Sequence, residues 1–121
     1  MTDEEAIRNC IGRYFHRLDD RDFDEWKKLV TSDARVTING VEAWPPSVQI
    51  MGQRGRHIAV NTVVEVDGDE ATAVFDYFYI GEIGPAKFER LEILNAGRYT
   101  DRLVRQDGQW LLREVAINVF R

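Results

Sequence analysis

The sequence has few of the residues that stabilise proteins through covalent bonds or metal ions. Its 121 residues include one cysteine and two histidines, which excludes an intrachain disulfide and makes a metal site built from these side chains unfavourable. Sixteen lysines and arginines stand against twenty-one aspartates and glutamates, a net charge of −5. A chain of this charge has no broad basic surface for nucleic acid or anionic lipid.

Long apolar segments are also absent. No run is long enough to span a membrane or to direct export, so we expect a cytoplasmic protein without a membrane partner. Hydrophobic residues make up 44% of the chain and charged residues 31%, which is typical of a soluble globular domain. We interpret residues 1–121 as one domain without cofactor or metal ion.

The first part of the chain has the periodicity of helices. Residues 3–18 carry one apolar stripe, formed by Ile7, Cys10, Ile11, Tyr14, Phe15 and Leu18. Thr2 and Glu5 have the spacing of a capping box at its start. Asp22, with Glu25 three residues later, predicts the cap of a second helix. The buried side of that helix would be Phe23, Trp26, Leu29 and Val30.

From Ala34 onward the period changes to two and β-branched and aromatic residues become frequent, which indicates strands. We expect strands near residues 34–38, 57–67, 70–80, 88–105 and 110–120. Tight hairpins are predicted at Asp67-Gly68-Asp69 and Gln106-Asp107-Gly108-Gln109, and a looser connection at Gly81 to Pro85. Helices followed by hairpins predict an α+β fold with a curved antiparallel sheet.

Two features modify this sheet. Gly97 predicts a bulge or bend inside the fourth strand, where the sheet would curl. Residues 39–56 are less regular, and we interpret them as a rim or lid with at most one helical turn.

Two of the strands are apolar on both faces. One alternates Ala73, Phe75, Tyr77 and Tyr79 with Val74, Phe78 and Ile80. The last strand alternates Leu112, Ala116 and Phe120 with Leu111, Val115, Ile117 and Val119. Helices cover only one face, so we expect the other face to form a homodimer. A charge at Val115 or Ile117 would break the dimer if these residues face outward and unfold the chain if they face inward.

Residues 7–34, IRNCIGRYFHRLDDRDFDEWKKLVTSDA, resemble the opening of SnoaL-like domains in the nuclear transport factor 2-like superfamily, with Tyr, then Leu-Asp, then Asp-Phe-Asp. Residues 57–73, 97–101 and 107–110 continue the pattern, so the resemblance covers nearly the whole chain. It implies a cone-shaped α+β fold in which the curved antiparallel sheet wraps around the N-terminal helices.

The most similar branch contains scytalone dehydratase, bile-acid dehydratases and hexachlorocyclohexane dehydrochlorinase, which use an Asp-His pair in a deep apolar pocket. The resemblance places Asp19 and His57 at this pair, and Tyr14 and Asn61 at a Tyr and an Asn found in some members. The segment between Ile38 and His57 is shorter than in the family, so the third helix is mostly missing. The dehydratase's second His and first-strand Tyr have no clear counterparts.

The chemistry of such a pair follows from its groups. A carboxylate bonded to one imidazole nitrogen fixes the tautomer and stabilises the imidazolium that forms when the other nitrogen takes a proton. Lifting a proton beside a leaving group and then protonating that group is a syn elimination. Asp19 is then the orienting residue, His57 the base, and Tyr14 a phenol that polarises a carbonyl or hydroxyl. We expect neither Asp19 nor His57 to be needed for folding.

A mainly apolar cavity is expected around this pair, for a small apolar ligand. Strand periodicity places Asn61 on the same face as His57, and the other expected lining residues are Trp26, Phe75, Tyr77 and Tyr99. His16 lies off the helical stripe, so we expect it to be exposed.

The leading hypothesis is a cofactor-independent dehydratase, other lyase or isomerase that acts by proton transfer on a polyketide-, steroid- or aromatic-type molecule. Three alternatives stay open: a SnoaL-like cyclase or ketosteroid-isomerase-like enzyme with a carboxylate base on the sheet, a non-catalytic binding or oligomerisation domain, and a small subunit of an oxygenase. For Tyr14, Asp19 and His57 the structural alternatives are core packing, helix capping and an interior hydrogen bond.

Overall fold

Two helical elements precede the strands in the computed structural model, which describes residues 1–43, 54–83 and 89–120. Helix α1 spans Asp3–Asp19, α2 spans Phe23–Trp26, and a 3-10 turn follows at Lys27–Leu29. Within the described residues the strands are β1 (Val30–Ile38), β2 (Val41–Glu42), β3 (Gly55–Asp67), β4 (Glu70–Ile83), β5 (Arg90–Gln106) and β6 (Gln109–Val119). The predicted α+β class is confirmed.

The strands form one open, curved sheet in the order β2-β1-β6-β5-β4-β3. All neighbouring pairs are antiparallel except β1 and β6, which are parallel. A parallel pair needs a long crossover, and here β3, β4 and β5 form that crossover. In this order β3 lies at one edge of the sheet, and α1 packs against it.

Helix α1 has the predicted start and the predicted buried stripe. The Thr2 hydroxyl accepts a hydrogen bond from the Glu5 backbone N–H at 3.1 Å, and the Glu5 carboxylate accepts one from the Thr2 N–H at 3.4 Å. All six residues of the stripe are buried. Large apolar side chains contribute roughly 1.5–3 kcal/mol each on full burial, so this stripe attaches the helix to the inner face of the sheet.

The second helix is shorter than predicted. Asp22 caps it as expected, by accepting from the Glu25 N–H at 3.3 Å. The chain then passes through the 3-10 turn, and β1 begins at Val30. Val30 and Thr31 are β-branched, and such residues favour a strand over a helix. The two-residue strand β2 was not predicted.

Bulges in β3, β5 and β6 determine which side chains of these strands reach the inner face of the sheet. Asn61 and Thr62 of β3 together lie opposite one residue of β4, and Asn61 has a φ of 56°. Leu94 is the extra residue of β5, and Arg113 is the extra residue of β6. The bulge predicted at Gly97 therefore lies three residues earlier, at Leu94.

The bulge at Arg113 overturns the predicted faces of β6. An extra residue changes the parity of the strand, so Leu112, Val115 and Ile117 all face inward and are buried. The prediction that Leu112 lies on the opposite face from Val115 and Ile117 is wrong. These residues belong to the core, where a charge would unfold the chain.

The outer face of the sheet still carries exposed apolar side chains. Ile58 lies opposite Phe78, Phe78 lies opposite Ala96, and the Phe120 N–H donates to the Ala96 carbonyl at 2.8 Å. We call these four residues the outer row. Ile58, Phe78 and Phe120 are exposed, and Ala96 is half-buried.

Two predicted segments are covered only in part. Residues 44–53 of the proposed rim or lid, and residues 84–88 of the loop that begins at Gly81, lie outside the described residues. None of the helices in the described ranges has the length and apolar character needed to cross a membrane.

Candidate active site

Asp19 and His57 are in direct contact through two hydrogen bonds. Asp19 Oδ1 lies 2.5 Å from His57 Nδ1, and Asp19 Oδ2 accepts from the His57 backbone N–H at 2.8 Å. The side chains of Asp19 and His57 are 4% and 11% exposed, so water screens this contact very little. Since Asp19 occupies Nδ1, Nε2 is the ring nitrogen that a ligand can reach.

The pair forms where the end of α1 meets the start of β3. Asp19 is the last residue of α1, and the chain leaves the helix through Arg21, which has a left-handed φ of 61°. The neighbouring Asp20 carboxylate pairs with Arg56 at 3.2 Å. This second contact is exposed, and such pairs contribute only about 0.2–1 kcal/mol. Two successive residues of the helix end therefore contact two successive residues of β3.

Aromatic rings fix the orientation of the imidazole. The His57 ring stacks on Phe15, with centroids 4.9 Å apart and an interplanar angle of 16°. On another side, the Tyr79 ring lies 4.6 Å away in a tilted contact. A ring held by a carboxylate and two aromatic neighbours has few alternative rotamers, which favours a preorganised base.

A pocket of about 230 Å³ lies beside this pair. Aromatic and aliphatic side chains from α1 and the sheet form most of its wall. The lining residues are Tyr14, Leu18, Val36, Ile38, Ala43, His57, Tyr77, Tyr79, Asn95, Tyr99, Ile117 and Val119. The polar groups in it are thus an imidazole, an amide and tyrosine hydroxyls.

The tyrosine hydroxyls of the pocket stay protonated at neutral pH. Burial raises the pKa of Tyr14 and Tyr99 far above that of a free phenol. Burial also raises the pKa of Tyr77 and Tyr79, and the negative charge of Asp19 contributes at Tyr79. These phenols are therefore hydrogen-bond donors, and the imidazole is the group suited to accept a proton.

The structure brings most of the sequence-predicted site residues together. Tyr14, His57, Tyr77 and Tyr99 line the pocket, and Asp19 lies behind His57. The pocket residues that sequence analysis missed include Tyr79 and Asn95. The strand periodicity that places Tyr77 and Tyr99 on the inner face also identifies these two.

Trp26 and Phe75 are core residues and do not line the pocket. The Trp26 ring packs against Tyr14 with centroids 5.6 Å apart, and the Phe75 ring stacks on Tyr99 at 5.0 Å. Both side chains are fully buried. The prediction that they line the cavity is wrong, because one layer of aromatic rings separates them from it. They support the pocket wall from behind.

Asn61 also lies outside the pocket, on the exposed side of β3. Its Nδ2 donates to Asp76 Oδ2 at 3.4 Å, and Asp76 Oδ1 accepts from Arg98 Nε at 2.7 Å. The bulge at Asn61 interrupts the alternation that starts at His57, so the predicted shared face does not extend that far. The prediction that Asn61 lies beside His57 in the pocket is wrong.

Side chains typical of metal sites are dispersed. Across the described ranges, no cluster of three or more His, Cys, Asp or Glu residues has the arrangement needed to hold a metal ion.

Known structures share this fold. Rv3472, a Mycobacterium tuberculosis protein of unknown function whose structure is that of a variant, is 27% identical, with a TM-score of 0.82 over 96% of this chain and 70% of that chain. A nuclear transport factor 2-like protein with a cystatin-like fold from Novosphingobium aromaticivorans is 18% identical, with a TM-score of 0.78 over 98% and 82% of the two chains. These likenesses confirm the predicted nuclear transport factor 2-like fold.

A candidate scytalone dehydratase from Novosphingobium aromaticivorans is 20% identical, with a TM-score of 0.76 over 98% of this chain and 84% of that chain. No curated protein matches this chain in sequence. The SnoaL-like domain family matches residues 1–116. Because this match spans nearly the whole sequence, the protein belongs to the SnoaL-like domain family.

Proposed function

We propose that this protein is a cofactor-independent acid–base enzyme, a dehydratase, other lyase or isomerase, that acts on a small apolar molecule. The observation that carries the proposal is the double hydrogen bond from Asp19 to His57 at the wall of a mainly apolar pocket. A carboxylate held against Nδ1 is the arrangement that makes Nε2 of an imidazole a base.

The proposed reaction begins when Nε2 of His57 takes a proton from a carbon atom of the substrate. The Asp19 carboxylate stabilises the resulting imidazolium, and a phenol such as Tyr14 donates a hydrogen bond to the oxygen on which negative charge develops. The imidazolium then returns the proton, either to a leaving hydroxyl group in an elimination or to a different carbon atom in an isomerisation. General acid–base catalysis of this kind supplies roughly 10² to 10⁴ in rate.

The pocket wall supports a compact substrate of polyketide, steroid or aromatic type. Its volume of about 230 Å³ is slightly below the roughly 300–1,000 Å³ of most small-molecule sites. Four tyrosines and aliphatic side chains favour binding by burial of apolar rings. The lining residues that the structure describes include no carboxylate, which disfavours the alternative of an isomerase with a carboxylate base on the sheet.

Proton exchange on a small ketone tests the proposal without knowledge of the natural substrate. The probe is 2-tetralone in deuterated water, and the loss of its α-proton signals is followed by NMR. We expect the wild-type protein to accelerate the exchange. His57→Gln should lower the protein-dependent rate on the order of 10²-fold or more, because it removes the base.

The matched control is His16→Gln, which changes the chain's other histidine, an exposed residue of α1. This variant should exchange the ketone at the wild-type rate. Circular dichroism confirms that both variants are folded. Equal rates for the wild type and a folded His57→Gln variant would contradict the proposal and favour a non-catalytic ligand-binding domain.

A further inference from the structure

We infer that Asn95 selects substrates by donating a hydrogen bond from its side-chain amide to an oxygen acceptor of the ligand, and that Tyr77 positions this amide. The inference rests on the proposed function, because it concerns the ligand of the same pocket. It adds a substrate class: an apolar ring compound that carries a carbonyl oxygen.

The amide of Asn95 is held in one orientation. The Tyr77 hydroxyl donates to Asn95 Oδ1 at 2.7 Å. This bond engages the amide oxygen, so the Nδ2 group keeps its two N–H donors for another partner. Asn95 lines the pocket and is exposed to it, which makes Nδ2 the donor that an incoming ligand meets.

Gly97 allows Tyr77 to reach Asn95. Tyr77 on β4 and Gly97 on β5 lie directly opposite each other. A Cβ atom at Gly97 would come within 2.8 Å of Tyr77 Cε1. Because Gly97 has no side chain, the Tyr77 ring can lie over β5, and its hydroxyl reaches Asn95. The Tyr77 ring is fixed by a T-shaped contact with the Tyr99 ring, with centroids 5.0 Å apart and an angle of 89°.

The same tyrosine lies between Asn95 and the base. The Tyr77 ring is 6.1 Å from the His57 ring, centroid to centroid, and its hydroxyl contacts Asn95. A ligand whose oxygen accepts from Asn95 therefore places its ring along Tyr77 and extends toward Nε2 of His57. Burial also raises the pKa of Tyr77, so its hydroxyl keeps the proton that it donates to Asn95.

Two probes with the same two-ring skeleton test this inference: 2-tetralone, which has a carbonyl oxygen, and tetralin, which has none. Their affinities are measured by titration, with amide chemical shifts followed by NMR. A hydrogen bond to the ketone should give the wild type a roughly 5- to 20-fold preference for 2-tetralone. Asn95→Ala should reduce this ratio to about one and leave the affinity for tetralin unchanged.

Two further variants separate donation from positioning. Asn95→Asp keeps an acceptor for the Tyr77 hydroxyl and removes the N–H donors, so it should lose the preference as Asn95→Ala does. Tyr77→Phe frees the amide to rotate, and should lower the preference about two-fold without abolishing it. The control is Asn118→Ala, an exposed asparagine opposite Arg98 on the outer face, which should keep the full preference.

The inference is overturned if Asn95→Ala retains the ketone preference, if the wild type has none, or if neither probe binds. These outcomes are distinguishable from failure of the proposed function, which depends on proton exchange by His57. An unchanged preference in Asn95→Ala, together with His57-dependent exchange, rejects the role of Asn95 alone. A preference for 2-tetralone that depends on Asn95, without any proton exchange, rejects the proposed enzyme activity and supports the role of Asn95 in ligand binding.

Discussion

The carboxylate of Asp19 accepts from both the ring and the backbone of His57, at 2.5 Å and 2.8 Å. One oxygen orients the imidazole, and the other joins the end of α1 to the start of β3. Sequence reasoning predicted the first contact and treated the pair as unnecessary for folding. The second contact gives Asp19 a structural task as well, so its substitution affects both chemistry and stability.

Asp19→Asn separates these two tasks. The Asn oxygen can still accept from the His57 backbone N–H, but its NH₂ group then faces Nδ1 and forces the ring proton onto Nε2. This tautomer cannot act as a base, so the exchange rate on 2-tetralone should fall on the order of 10²-fold or more. The free energy of unfolding, measured with urea, should change little.

Asp19→Ala removes both acceptors. It should lose the same activity and also about 1–3 kcal/mol of stability, because the backbone N–H of His57 is left without a partner. Asp20→Asn is the control, since Asp20 is exposed and pairs with Arg56 at the surface. Full exchange activity in Asp19→Asn would show that the carboxylate does not set the tautomer.

Gly97→Ala tests the close approach of β4, β5 and β6. The added Cβ would meet the Asn118 carbonyl oxygen and lie 2.9 Å from Val119 Cα, and backbone atoms cannot easily move aside. We expect a loss of about 1–3 kcal/mol in the free energy of unfolding. The control is Gly12→Ala on α1, where a Cβ meets no atom within 4 Å.

The control variant Gly12→Ala should stabilise the protein by roughly 0.5–1 kcal/mol, because alanine favours a helix interior more than glycine does. Urea unfolding of both variants gives the comparison. Equal stabilities for Gly97→Ala and the wild type would mean that the strands separate at no cost, and that Gly97 is not required for the position of Tyr77.

Local signals in the sequence were sufficient for the helix caps and the tight turns, whereas the pairing of Asp19 with His57, 38 residues apart, was predicted from the resemblance to SnoaL-like domains. Thr2 with Glu5 and Asp22 with Glu25 depend on neighbours within one helical turn, so their geometry is encoded locally. The Asp107-Gly108 turn has φ values of 52° and 76°, as its composition predicts. The fold class followed from the order of these elements.

The exact positions of the bulges could not be predicted, and these bulges caused the errors at Asn61 and Leu112. An extra residue at Asn61 or Arg113 moves every later side chain of its strand to the opposite face of the sheet from the one that simple alternation predicts. Alternation alone therefore placed Asn61 in the pocket and Leu112 opposite Val115. Which aromatic residue lines a cavity and which lies one layer deeper depends on tertiary packing, as Trp26 and Phe75 show.

The carboxyl group of Asp101 predicts a pH-dependent stability. Its side chain is buried on the inner face of β5, and its Oδ1 has no hydrogen-bond partner among the residues described. Burial raises the pKa of Asp101 well above its ordinary value. The folded protein then keeps a proton that the unfolded chain releases near pH ~4. Stability therefore falls as the pH rises above that value.

Asp101→Asn removes this proton linkage. At pH 7 the variant should be more stable than the wild type by about 1 kcal/mol or more, and the difference should shrink toward pH 4. Urea unfolding at several pH values measures it. The control is Asp107→Asn, an exposed turn position where asparagine also accepts a positive φ. A difference that is independent of pH would show that Asp101 is ionised in the folded protein.

The outer row remains the basis for the expected homodimer. Ile58, Phe78 and Ala96 lie on the neighbouring strands β3, β4 and β5, and Phe120 directly follows β6. Contiguous exposed apolar residues of this kind often mark an interface. We expect a dimer at micromolar concentration in sedimentation velocity. Phe78→Glu should give a folded monomer, because a charge at the centre of the row would be buried without a partner.

Val115→Glu provides the contrast, since Val115 lies in the core and not on the outer face. This variant should unfold, whereas Phe78→Glu should keep its circular dichroism spectrum and change only its sedimentation coefficient. A monomeric wild type, or a Phe78→Glu variant that still dimerises, would exclude the outer row as the interface. Unfolding of Phe78→Glu would instead show that Phe78 stabilises the sheet itself, so Phe120→Glu, at the end of the row, should then be used to test the dimer.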